Sequence, residues 1–431
     1  MALTENPKLA MIPSGYGDYK VYSVLPSDGT GDFDFVRSSG ATRVNKSGLI
    51  ETVGFDVPRL NYPMIDGVVS GCPSLLLEPQ RSNIVTYSED FSQSSWIKLN
   101  GTVNSNTAIS VDGSINADFF IPNTTSGIHA LRSNIFNQSS TASHSWFVKA
   151  NGYTKVAIRE SELVGNYASF DLSTGSIIST NQTGSIVNFG NGWYRLTLVD
   201  TTNGAEAQTS IVILPESYSS GDPLINWSGD GVKGVYVFGT QVEIGGYPTS
   251  YIPTNGEVNG VTRSAETCNG AGDAATFNDS EGVLMAEISA LDNLEDGNWI
   301  SINDGGLNNR ILIGYVGANA IRFILISGTF FQVDFSKTIA SRTSFNKVAF
   351  KWALNDCSFW INGIKVDADT SATMPIGLAQ LSFNDGATAN FKGNTKQIQY
   401  FDTALTDTDL EELTSWTSFN EMAISQQYSL Y

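Results

Sequence analysis

Phe359-Trp360-Ile361-Asn362-Gly363-Ile364-Lys365-Val366 consists of two alternating apolar runs joined by an Asn-Gly pair. Asn and Gly accept the positive φ angles of a two-residue hairpin turn, so this stretch predicts two antiparallel strands in tight connection. The same alternation spreads outward from it, over residues 283–288, 299–302, 310–316, 321–326, 330–335 and 347–353 on one side and 396–401 on the other. Strands at this spacing, separated by polar turns, describe an antiparallel sandwich over residues 266–431. One helix follows. Thr406 is its N-cap, Asp409 completes a box-like pair, and Leu405 and Leu410 fall at the staple positions, so the helix should lie on the sandwich.

The pattern recurs upstream. Lys155-Val156-Ala157-Ile158-Arg159 and Trp193-Tyr194-Arg195-Leu196-Thr197-Leu198-Val199 alternate, and Asp112-Gly113, Asn151-Gly152, Asn191-Gly192 and Asp230-Gly231 supply turns. Residues 86–254 therefore read as a second antiparallel sandwich, a jelly roll, and the two-proline stretch Tyr247 to Gly256 introduces a linker over 255–265. Composition agrees with an all-β chain. Only 16% of the 431 residues are charged, Gly reaches 41 and aromatics 11%, while Ser, Thr and Asn occupy places that Lys and Glu fill on exposed helices.

Residues 1–85 differ. Pro7, Pro13, Pro26, Pro58, Pro63, Pro73 and Pro79 interrupt them, which predicts an extended N-terminal segment with a few short strands. Its Phe33, Phe35, Leu49, Ile50, Leu60, Tyr62 and 75–77 need a surface to pack on, either the next domain or a neighbouring chain. Arg37, Arg43, Arg59 and Arg81 have two readings, carboxylate pairing within the chain or docking onto a partner.

The formal charge of −19 argues against nucleic acid and anionic membrane as main partners. No apolar stretch at the N-terminus has signal-peptide length, and none elsewhere would insert into a membrane. Cys72, Cys268 and Cys357 are too few and too scattered for a disulfide framework or zinc knuckle and read as free thiols, mostly buried. Two histidines cannot make a three-His zinc site; His144, in a strand pattern, reads as structural and His129, after a turn, as surface decoration. Gly229-Asp230-Gly231-Val232-Lys233-Gly234 matches GxGxxG, yet a strand and not a helix should follow it, so a dinucleotide fingerprint is excluded. No ExD triplet of the kind some sandwich glycosidases use occurs, so no catalytic residue is assigned and the chain is read as a non-enzyme. Asp292, Glu295 and Asp296, in a Gly-rich turn region, form either a solvated loop or a calcium site; no other cofactor is expected.

Sugar binding by a sandwich needs an exposed ring for stacking and polar side chains for the hydroxyls. Trp227 with Asn226 and Asp230, and Trp299 with Asn298 and Asp304, lie in polar surroundings and are the candidate contacts, whereas Trp146, Trp193, Trp352 and Trp360 sit within strand patterns.

Ser39-Gly40-Ala41-Thr42-Arg43-Val44-Asn45, Gly48-Leu49-Ile50-Glu51, Pro58-Arg59-Leu60, Leu75-Leu76-Leu77-Glu78-Pro79-Gln80-Arg81-Ser82-Asn83 and Tyr87-Ser88-Glu89-Asp90-Phe91 resemble, in order, a set found in tailed-bacteriophage fibre and spike proteins. Asn191-Gly192-Trp193-Tyr194-Arg195, Gly239-Thr240-Gln241-Val242-Glu243 and Pro248-Thr249-Ser250-Tyr251-Ile252-Pro253-Thr254 continue it, closing a carbohydrate-binding-module-like jelly roll. Separately, Trp360 to Val366, Gln397-Ile398-Gln399-Tyr400-Phe401 and Ala404 to Leu410 are similar to the end of concanavalin-A-like (laminin-G-like) lectin domains. The resemblance implies a virion component on head or tail, as fibre, spike or decoration: residues 1–85 dock on capsid or tail proteins, the sandwiches bind glycans, and the chain forms a homo-oligomer, commonly a trimer. A purely structural assembly protein and a capsule-degrading depolymerase are the alternatives.

Overall fold

The computed structural model describes residues 5–134, 140–160, 165–201, 208–292 and 297–416. Among these residues the fold is all-β with one short C-terminal helix, as the alternation predicts, and two sandwiches carry most of it.

In the first sandwich, one six-stranded sheet runs Trp96–Leu99, His129–Ser133, Ser210–Ile213, Lys155–Arg159, Tyr167–Asp171, Ser176–Thr180. The facing sheet runs Gly101–Ile109, Ile115–Pro122, Gly234–Ile244, Ala142–Asn151, Trp193–Asp200, Thr183–Gly190. Alternate residues of both meet in a core around Phe91, Trp96 and Trp146, whose rings pack at centroid distances of 4.9 to 5.4 Å. His144 is fully buried in this layer, and burial, partly opposed by Asp200, pulls its pKa down to about 4, which suits the structural role expected of it.

The second sandwich sets Phe330–Thr338, Ala320–Ser327, Arg310–Val316, Asn298–Asn303 and Gln380–Ser382 against a larger sheet containing Ile364–Asp369, Cys357–Ile361, Asn346–Ala353, Glu281–Ala290 and Gly393–Phe401. The predicted hairpin is present, with Asn362 and Gly363 at φ 50° and 80° between Cys357–Ile361 and Ile364–Asp369. The helix Asp407–Ser415 starts at Thr406, whose side chain accepts from the Asp409 amide while the Asp409 carboxylate reaches back. Leu405, Leu410 and Leu413 are buried against Val283, Met285 and Trp360, as the staple positions require.

Residues 5–85 are extended, and the surface they pack on belongs to the same chain. Strand Gly393–Phe401 is paired on one side by Glu281–Ala290 and on the other by Leu9–Met11 and Ser74–Leu77. Leu9, Met11, Phe33, Phe35, Leu75 and Leu77 enter the second sandwich's core. The stretch 255–265 is not a free linker either. Val261–Arg263 pairs with Arg81–Asn83, and Arg263 is 1% exposed. Among the described residues, no helix is long and apolar enough to cross a membrane.

Candidate functional site

Three of the four N-terminal arginines considered for docking are bound by carboxylates or hydroxyls of this chain, and two have no surface left to offer. Arg37 and Arg59 are both 0% exposed. The Glu266 carboxylate accepts from Arg37 Nη1 at 2.8 Å, from Arg59 Nε at 2.8 Å and from Arg59 Nη2. Arg59 Nη1 and Arg263 Nη1 each stand 2.8 Å from Glu78 Oε2, and Ser250 donates its amide and hydroxyl to Glu78 at 2.8 and 2.7 Å. Arg43 pairs with Glu51 at 2.7 Å and reaches the Tyr16 hydroxyl at 2.8 Å. Arg81 is half-buried over the Tyr247 ring. The virion-docking assignment of Arg37 and Arg59 is therefore corrected: these two guanidiniums tie the N-terminal segment to Glu266 and to Ser250 of the jelly roll, because a buried cation needs an internal carboxylate, whereas Arg43 pairs within the segment and Arg81 packs on a jelly-roll ring.

Trp227 is the tryptophan candidate that is only half-buried, packed against the edge of the first sandwich's core. It lies in the long connection after Ser210–Ile213 and is half-buried, while Asn226, Ser228 and Asp230 beside it are exposed. Backbone hydrogen bonds with Gly127 at 3.0 and 3.1 Å anchor the residue, and its Nε1 donates to the Ile213 carbonyl at 3.3 Å. His129 and Tyr153 meet the indole edge-on, with centroids 4.7 and 5.1 Å away. His129 is not surface decoration: it is fully buried, with Nδ1 2.7 Å from the Asn100 carbonyl and Nε2 2.9 Å from that of Trp227. The indole is thus fixed before any ligand arrives, which lowers the ordering cost of stacking. Asp230 is less available than its sequence neighbourhood implies. Its Oδ1 accepts the Val232 and Lys233 amides at 2.9 and 2.8 Å, closing its own turn. The Asn226 amide forms no hydrogen bond among the described residues and is exposed.

The second candidate set is overturned. Trp299 is 9% exposed and Asn298 2%. The Trp299 ring packs with Leu312, Ile324 and Ile326, lying across Gly314 of the neighbouring strand, where a Cβ would collide with it. Asp304 accepts the Gly306 amide at 3.0 Å and both nitrogens of Asn309, serving its own loop. Trp299 and Trp227 also belong to different sandwiches. Of the possible calcium ligands, Asp292 is half-buried, and Glu295 and Asp296 lie outside the described residues. Among the described residues no group of three or more His, Cys, Asp or Glu side chains is arranged to hold a metal ion.

Sequence reasoning missed His129 and Tyr153 as the residues that grip Trp227. The sequence around each of them does not say that one strand residue and a loop residue converge on the ring of a third segment.

No protein-family model matches the chain, and no curated protein matches it. Among solved structures, the CBM40 carbohydrate-binding module of Ruminococcus gnavus IT-sialidase, bound to α2,3-sialyllactose, is 17% identical over 34% of this chain and 94% of its own, with a TM-score of 0.29. Domain 4 of the Geobacillus stearothermophilus arabinanase AbnA is 14% identical over 40% of this chain and 84% of its own, TM-score 0.29. Domains LG4-5 of mouse laminin α1 are 11% identical over 66% and 90%, TM-score 0.22. Similarity of this extent places the chain in none of these families.

Proposed function

We propose that this chain is a bacteriophage virion protein, a fibre, spike or decoration component of head or tail, that binds host or environmental polysaccharide without covalent chemistry. The virion part is supported by the ordered motif set in residues 39–91 and 191–254. The glycan part is supported by one observation above all: Trp227 is a half-buried residue held in fixed orientation, backed by His129 and Tyr153 and flanked by the exposed amide of Asn226, which forms no hydrogen bond among the described residues. A rigid ring beside an uncommitted amide offers a sugar both a stacking face and a hydroxyl partner. Attachment to the particle, and the homotrimer, would use surfaces other than Arg37 and Arg59, which face inward.

The test is binding of the folded chain to host capsule and lipopolysaccharide glycans on an array. Trp227→Ala should abolish the signal, and Asn226→Ala should weaken it roughly tenfold, the effect of one lost hydrogen bond of ~1.4 kcal/mol. Silence of the wild-type chain on every glycan would favour a purely structural role, and immunogold labelling of particles that finds no chain would remove the virion assignment.

A further inference from the structure

A cleft of about 440 Å³ opens where the hairpin of Met64–Ile65 and Val68–Val69 meets the jelly-roll turn 189–193. Gly67 and Gly190, at φ 80° and 79°, touch there. A Cβ on Gly190 would collide with the Gly67 carbonyl, and one on Gly67 with the Asn188 amide. The N-terminal segment thus supplies one wall of the cleft and the jelly roll the other. Leu49, Tyr62 and Phe189, all half-buried, line it together with Trp193, which is 2% exposed and fixed by a 3.0 Å bond from Nε1 to the Ile109 carbonyl. Asn191 and Lys46 are exposed at its margin.

Charge separates this cleft from the other of its size. The chain has 43 acidic and 24 basic side chains, yet no acidic residue lines the cleft and one basic residue, Lys46, does. Lys46 forms no ion pair among the described residues. A cleft of similar size, about 490 Å³, has the opposite character: Glu89, Asp90, Asp118 and Glu257 line it without a single cation. In a protein whose surface repels anions, a carboxylate-free hollow with an unpaired ammonium is where an anion is tolerated. Its volume falls within the range of small-ligand sites, and it joins apolar and aromatic walls to an amide and an ammonium.

We propose that this cleft binds the terminal carboxylated residue of an acidic glycan, with the sugar's apolar face on Tyr62 and Phe189, its carboxylate on Lys46 Nζ and its hydroxyls on Asn191. The ligand class rests on the glycan-binding function proposed above, but the site is separate from Trp227.

Calorimetric titration of the full chain with a glucuronic-acid-terminated disaccharide and with its neutral glucose counterpart tests it. The acidic sugar should bind up to about fivefold more tightly, the worth of one exposed ion pair, with the advantage shrinking in high salt. Lys46→Gln should erase that advantage, Lys46→Arg should keep it, and Phe189→Ala should weaken both sugars. Equal affinity for the two sugars, indifference to Lys46→Gln, or no binding of either sugar would each overturn the assignment. A glycan array on which Trp227→Ala loses nothing, alongside acid-selective binding that Lys46→Gln erases, would uphold this site while removing the Trp227 one.

Discussion

Glu266 accepts from two guanidiniums with one carboxylate, and all three side chains are shut off from water. Removing one partner of such a network leaves a buried charge uncompensated, which typically costs about 3–5 kcal/mol. Glu266→Gln should therefore lower the midpoint of chemical unfolding sharply, whereas Arg43→Ala, at a half-exposed pair, should cost about 1 kcal/mol or less. The same network carries a pH signature. Burial raises the pKa of Glu78, but Arg263 and Arg59 outweigh it and hold the carboxyl down to about 2, against an ordinary 4.5. Its contribution, on the order of 3 kcal/mol, is complete above pH 4.5 and is lost as pH falls through about 2. Glu160 runs the other way. Burial, then Asp200, push it up to about 7, so its contribution is complete below pH 4.5 and disappears as pH rises through about 7. Thermal melts should show Glu160→Gln gaining stability over wild type at pH 8 and little at pH 4; an equal effect at both would contradict the assignment.

At the scale of elements, what was legible in the sequence was local. The Asn362-Gly363 turn and the Thr406 cap are defined by residues within one turn of each other, and both form as expected. Thr406→Ala should accordingly cost about 1 kcal/mol, measured by denaturant unfolding, because Asp409 and the first helical turn lose their reciprocal bonds. The two tryptophan candidates looked alike in sequence because each has polar neighbours along the chain. Their difference is set by packing partners distant in sequence: Trp299 has Gly314 opposite it and aliphatic residues around it and is buried, while Trp227 packs with His129 and Tyr153 and stays half-buried. Trp299→Ala should destabilise the fold by about 3–5 kcal/mol, and Trp227→Ala by clearly less, with its main effect on binding.

The whole molecule closes on itself through its first 85 residues. They were legible as extended and in need of a surface, but proline spacing and scattered apolar residues cannot say which surface, since cross-chain pairing depends on partners more than 300 residues away in Gly393–Phe401. Deleting residues 5–85 would do three things at once. It would bare one whole edge of strand Gly393–Phe401, remove Phe33, Phe35, Leu75 and Leu77 from the second core, and leave Glu266 buried without Arg37 or Arg59. An unpaired edge beside an opened core invites intermolecular pairing, so residues 266–416 expressed alone should aggregate. The intact chain should melt in one calorimetric transition, because Glu78 and Glu266 bind the N-terminal segment, the strand Val261–Arg263 and the second sandwich into one network. Two resolved transitions, or a soluble, folded 266–416 fragment, would mean that the sandwiches stand independently and that the N-terminal strands decorate the second one without completing it. In that event the segment would be free to exchange onto strand Gly393–Phe401 of another copy of the chain.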